Sequence, residues 1–84
     1  MGKHRELLDK ILLGGSDASI DFKDLCGLLI QLGFAERIRG SHHVFRRAGI
    51  EDHVNLQSAG RHAKVYQVRQ VRGVILRYRL GGEL

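Results

Sequence analysis

The amino-acid sequence predicts an α+β fold in which helices cover one face of a three-stranded antiparallel sheet. Three observations lead to this prediction. Apolar residues recur at helical spacing near both ends of the chain, residues in the middle alternate between apolar and polar, and short glycine-containing turns separate the alternating segments. The 84 residues are enough for a single domain spanning 1–84. Tight connections favour an antiparallel meander, and such a sheet needs cover on only one face.

Two helices are predicted in the first part of the chain. Apolar residues at helical spacing place the first at 3–13, where a Gly-Gly pair ends it. Residues 16–20 form a short polar connection. Asp21 is a suitable N-cap for the second helix, 21–33, and Gly33 supplies the left-handed residue that ends it.

The period of the pattern changes after the second helix. Residues 34–40, 42–47 and 53–57 read as three short strands, so we expect a meander over 34–57. Residues 63–80 return to helical spacing and form the last helix. The predicted order is therefore helix, helix, three strands, helix.

Two adjacent histidines, His42 and His43, follow a Gly40-Ser41 turn on the second predicted strand. Alternation along a strand sends His43 and Phe45 to one face and His42 to the other. Because Phe45 buries more apolar area than the valine before it, the Phe45 face is expected to pack on the helices. His43 should then point inward with a hydrogen-bonded partner, while His42 stays accessible.

Basic residues concentrate in the second part of the chain. Residues 1–34 carry four Lys or Arg against five Asp or Glu, whereas residues 35–84 carry ten against four. Six basic residues and no acidic one lie between Arg61 and Arg79. A polyanion such as a nucleic acid is the natural partner of such a surface, although a basic surface can also serve solubility alone.

Composition favours a soluble protein of the cytoplasm. No apolar run approaches the roughly 20 residues that span a bilayer, and the N-terminal stretch lacks the apolar region of a secretion signal. The single cysteine, Cys26, has no partner for an internal disulfide, which suits a reducing compartment.

The accessible histidine and its basic neighbours suggest chemistry on RNA. An imidazole can take up and release protons near neutral pH, and RNA carries its own nucleophile in the 2′-hydroxyl group. Guanidinium groups could hold the phosphodiester and stabilise the charge that builds on its oxygens. The arginines nearest to His42 in sequence are Arg37, Arg39, Arg46 and Arg47.

Four stretches of the chain resemble the HicA family of bacterial toxins, the ribonuclease partners of HicB antitoxins. These are DLCGLLIQLGF, RIRGSHHVFRR, VNLQ and AKVYQVRQVRGVILRYRL, and the resemblance runs from about Lys3 to Leu80. Its most specific parts are the G-S-H element at 40–42 and the YQVRQVR stretch at 66–72. The chain departs from the pattern at Val65, where similar chains often have proline, and in its additional N-terminal helix, 3–13.

The resemblance implies both a fold and an activity. The fold would be like that of a double-stranded-RNA-binding domain, and the activity would be cleavage of mRNA with little sequence preference and without a metal cofactor. The family's catalytic histidine maps onto His42, with His43 as runner-up, and the Gly40-Ser41 turn would present it. A HicB-like antitoxin would cover this face in a tight complex. Residues expected to bind RNA are Arg37, Arg39, Arg46, Arg47, Lys64, Arg69 and Arg72.

Other interpretations of the same residues remain open. A non-catalytic RNA-binding module of the same fold would need the basic face but not the G-S-H element. A metal site could be sought among His42, His43, His53, His62 and Cys26, although adjacent strand histidines point to opposite faces and close ligand pairs are absent. Cys26 lies beside the apolar stripe of a helix, where a free cysteine usually packs as a small hydrophobe rather than acting as a nucleophile.

Overall fold

A computed structural model describes residues 2–84 and confirms the α+β class and the order helix, helix, three strands, helix. The three α-helices are α1 (Lys3–Leu13), α2 (Phe22–Gln31) and α3 (Val65–Tyr78). The antiparallel sheet has the strand order β1-β2-β3, formed by Ala35–Arg39, His42–Arg46 and Val54–Leu56. A second, two-stranded sheet was not predicted and consists of β4 (Ser58–Ala59) and β5 (His62–Ala63).

The ends of α2 follow the predicted signals. The Asp21 side chain accepts a hydrogen bond from the Asp24 backbone N–H at 3.0 Å. This bond caps the helix and lowers the pKa of the Asp21 carboxyl group, because the N–H stabilises the ionised form. Gly33 has φ +96°, the left-handed conformation expected of the residue that ends the helix.

The start of the last helix corrects the sequence prediction by two residues. Ala63 belongs to β5, and its N–H donates to the Ile20 carbonyl at 2.9 Å, so helix α3 begins only at Val65.

The connection at 16–20 was expected to be a polar surface segment, but it is partly buried in the structure. Ile20 is 1% exposed, and Asp17–Ser19 forms one turn of 3₁₀ helix. The small second sheet thus ties this connection to the start of α3.

The three helices pack on one face of the three-stranded sheet, and the core lies between these layers. From the sheet, Phe45, Val54 and Leu56 are fully buried. The additional N-terminal helix takes part in the same core, since Leu8 and Ile11 of α1 are also buried. No helix within residues 2–84 has the length and apolar character needed to cross a membrane.

Candidate functional site

The register of the sheet gathers one histidine and three arginines on the face away from the helices. Arg39 pairs with His42 and Arg37 with Val44, and side chains of directly paired residues project to the same face. We call this surface the open face, formed by Ala35, Arg37, Arg39, His42, Val44, Arg46 and Asn55.

The open face is strongly cationic because its arginines lack acidic partners. Within residues 2–84, no carboxylate lies within ion-pair distance of Arg37, Arg39 or Arg46, whereas five other arginines are paired. A groove of roughly 650 Å³ runs along these three side chains. His42 is exposed at one end of the paired strands, opposite Arg39. The surface can therefore present an accessible imidazole and several guanidinium groups to one polyanionic ligand.

A chain of hydrogen bonds holds the turn that precedes His42. Gly40 has φ +59°, and Gln57 Nε2 donates to Ser41 Oγ at 3.0 Å. Gln57 Oε1 in turn accepts from Lys64 Nζ at 3.1 Å, next to the start of α3. The turn beside His42 is thus connected to the last helix through two side chains.

Gln57 is a site residue that the sequence analysis did not identify. The pairing of β2 with β3 joins His43 to Leu56, so one step further along the ladder sets Gln57 beside His42. The outward position of Gln57 in the alternating pattern was the available signal, but its bonds to Ser41 and Lys64 depend on the tertiary structure.

Three of the residues predicted to bind RNA lie away from the open face. Arg47 follows β2, and its Nη1 donates to the Leu32 carbonyl at 2.9 Å, at the end of α2. Arg72 donates through Nε to the Ile11 carbonyl at 2.8 Å and also bonds Asp17. Arg69 pairs with the same aspartate at 3.5 Å. Each of these three arginines contacts another segment of the fold, and the structure does not bring them into one site with His42.

His43 lies on the helix side of the sheet, as predicted, and has a hydrogen-bonded partner. Its Nδ1 is 2.7 Å from Glu36 Oε2, and its ring meets the Phe22 ring edge-on with centroids 4.9 Å apart. The His43 and Glu36 side chains are only 22% and 25% exposed. Glu36 was not predicted as a partner, although it occupies the inward-facing register position of β1 next to Phe45.

The two histidines are expected to differ in their contribution to stability. His43→Ala removes a hydrogen bond to a charged group and an aromatic contact, and should lower the free energy of unfolding by about 1–3 kcal/mol. His42→Ala removes an exposed side chain and should change it by less than about 0.5 kcal/mol. Urea unfolding followed by circular dichroism measures both variants, and equal losses would contradict the assigned orientations.

The structure separates the five residues that were considered as an alternative metal site. Cys26 and His43 do come together, and Glu36 completes a group whose ligand atoms all lie within 4.8 Å of one another. His42, His53 and His62 do not belong to this group. Burial and the nearby Glu36 carboxylate raise the pKa of the Cys26 thiol to about 12, so the free thiol is a poor nucleophile.

Comparison with known proteins adds no further assignment to this geometry. No protein-family model matches the chain, and searches of curated proteins and of solved structures find no significant match.

Proposed function

We propose that the protein is a HicA-like endoribonuclease toxin that cleaves mRNA in the cytoplasm, with His42 as general acid/base. The observation that supports this most directly is the open face, where the exposed His42 shares one surface with three arginines that have no carboxylate partner. The resemblance of the G-S-H element and the YQVRQVR stretch to the HicA family points to the same activity.

In the proposed reaction, His42 takes the proton of a 2′-hydroxyl group, and the resulting oxygen attacks the adjacent phosphorus. The bond from phosphorus to the 5′-oxygen breaks, and that oxygen leaves with a proton from water. His42 then returns to its neutral form by releasing its proton to solvent. The products are a 2′,3′-cyclic phosphate and a 5′-hydroxyl end, and besides the RNA and the chain the reaction requires only water.

The arginines of the open face would act on the phosphate rather than on the bases. Arg37, Arg39 and Arg46 can hold the phosphodiester and stabilise the negative charge that grows on its oxygens during attack. Such contacts carry no sequence information, which agrees with cleavage that is relaxed in sequence. Lys64 is tied to Gln57 and would act chiefly through the turn that presents His42.

The chemistry of the products tests this proposal. Purified protein should cut single-stranded RNA to fragments that end in a 2′,3′-cyclic phosphate or in the 3′-phosphate formed by its hydrolysis, identified by mass spectrometry. RNA of the same sequence with 2′-O-methyl groups should resist cutting, because its nucleophile is blocked. Cutting in EDTA should proceed at the same rate as without it.

Two results would argue for other functions. Efficient cutting of the 2′-O-methyl RNA would exclude the 2′-hydroxyl as nucleophile. Salt-dependent RNA binding without any cleavage would instead support the non-catalytic RNA-binding module of the same fold.

A HicB-like antitoxin is the proposed protein partner. An inhibitor with Asp and Glu side chains complementary to the open face would cover His42 and be captured quickly by electrostatic attraction. Because this face lies outside the core, covering it requires no rearrangement of the toxin. Hydrogen exchange of the complex should then show protection of β1 and β2, and full exposure of His42 in an inhibited complex would contradict steric masking.

A further inference from the structure

The helix side of the sheet carries a second group of reactive side chains, separate from the open face. Cys26 of α2, Glu36 of β1 and His43 of β2 line a cavity of roughly 670 Å³ that opens to solvent. Their ligand atoms lie within 4.8 Å of one another. Among residues 2–84, this is the one group of three or more His, Cys, Asp or Glu side chains close enough to share an ion.

We propose that Cys26, Glu36 and His43 form a binding site for one zinc ion. Sulfur, imidazole nitrogen and carboxylate oxygen are the donor atoms that zinc takes in proteins, and sites with three protein ligands leave a fourth position for water. A thiolate and a carboxylate together balance the two positive charges of the ion. The hard cations magnesium and calcium prefer oxygen ligands only, so this donor set selects against them.

Side-chain movement alone can bring the three donor atoms to the separations of a zinc site. Zinc bonds of about 2.0–2.3 Å in a tetrahedron set the donor atoms about 3.3–3.5 Å apart. Glu36 Oε2 and His43 Nδ1, now at 2.7 Å, must separate slightly, while the wider separations, at most 4.8 Å, must shorten. The Phe22 ring contacts the imidazole edge-on, so the adjustment falls mainly on rotation of the Cys26 and Glu36 side chains.

Binding also has a definite proton balance. The sulfur–hydrogen bond of Cys26 breaks, a sulfur–zinc bond forms, and the thiol proton leaves to solvent. Because a carboxylate only accepts hydrogen bonds, the proton of neutral His43 lies on Nδ1 in the free chain and is donated to Glu36. Binding of the ion at Nδ1 therefore requires that this proton leave to solvent while Nε2 takes one up, so His43 releases no net proton. No oxidant or reductant takes part.

The site is independent of the proposed RNA cleavage. His43 points to the face of β2 opposite to His42, so an ion held by His43 is separated from the open face by the sheet. The ion would join α2 to β1 and β2 and would stabilise the folded chain by mass action. Cleavage in EDTA and zinc binding can therefore succeed or fail separately.

Calorimetry of the reduced 84-residue chain with Zn²⁺, together with the visible spectrum of the Co²⁺ form, tests the proposal. We expect one ion per chain, release of about one proton per ion, and a thiolate-to-cobalt charge-transfer band. Cys26→Ser should abolish the band, and Glu36→Gln should weaken Zn²⁺ binding at least about tenfold, in the range seen when groups at a metal site are altered. Circular dichroism of each variant establishes that it is folded.

Two matched variants serve as controls. His42→Ala changes the neighbouring histidine, and Glu51→Gln changes an exposed carboxylate in the loop before β3. Both should bind Zn²⁺ as tightly as the parent chain. The proposal fails if the parent chain shows no saturable binding of one ion, if folded Cys26→Ser or Glu36→Gln binds as tightly as the parent, or if His42→Ala removes binding.

Discussion

Replacing His42 with alanine should lower the rate of RNA cleavage by about 10²–10⁴-fold, the usual contribution of a positioned general acid/base. The variant loses the one imidazole on the open face, and no other residue of that face can take the proton of a 2′-hydroxyl group near neutral pH. The arginines that would bind RNA remain, so its affinity for RNA should change little. In cells, the same variant should no longer arrest growth.

Single-turnover cleavage of a labelled RNA measures the effect, and the unfolding midpoint shows that the fold is retained. His53→Ala is the matched control, because His53 is also exposed but precedes the paired residues of β3 and lines a separate pocket with Gln70 and Arg77 of α3. Cleavage by His42→Ala at the parental rate would overturn the assignment. His43→Ala would then have to be examined, with its lower stability taken into account.

Neutralising the arginines of the open face should weaken RNA binding strongly and reduce its dependence on salt. Each phosphate contact with single-stranded nucleic acid contributes about 0.7 to the slope of log K against log salt. The triple variant Arg37→Gln, Arg39→Gln, Arg46→Gln should therefore flatten that slope by about 2 if each side chain meets one phosphate. Stability should change little, because none of the three has an ion-pair partner to lose.

Binding of a short RNA by fluorescence anisotropy over a series of salt concentrations measures the slope. A charge-matched triple variant at Arg5, Arg69 and Arg77 provides the control, because these helical arginines are paired with aspartates. An equal loss of slope in both variants would show that net charge alone attracts RNA. An unchanged slope in the open-face variant would place the RNA elsewhere.

The sequence predicted the regular elements well because each has a periodicity of its own. The first helix has the predicted bounds, 3–13. As expected, Asp21 caps the start of the second helix and Gly33 follows its end in the left-handed conformation. The strands β4 and β5 could not be predicted in this way, because two residues are too few to show alternation. The backbone bonds from 61–63 to residues 20–22 join segments that are distant in sequence, so no local pattern indicates them either.

The orientation of the two histidines could be predicted from the sequence. Alternation placed His42 outward and His43 inward, and the large apolar side chain of Phe45 decided between the two faces. The partners of the cations could not be read from the sequence. Arg72 is bonded to the carbonyl of Ile11, 61 residues away, so its basic character gave no sign that it serves to hold α1 against α3.

The pairing register of β2 restricts which of the two histidines can face outward. A strand alternates with a period of two, so a slip of one residue would exchange His42 and His43 between the faces and would also expel Phe45 from the interior. Expelling Phe45 would cost about 3–5 kcal/mol, a large part of the stability of a small domain. Phe45, which is buried in the core, thereby gives the two neighbouring histidines different environments. Selection for a buried Phe45 would therefore keep His42 facing outward even when surface residues are substituted.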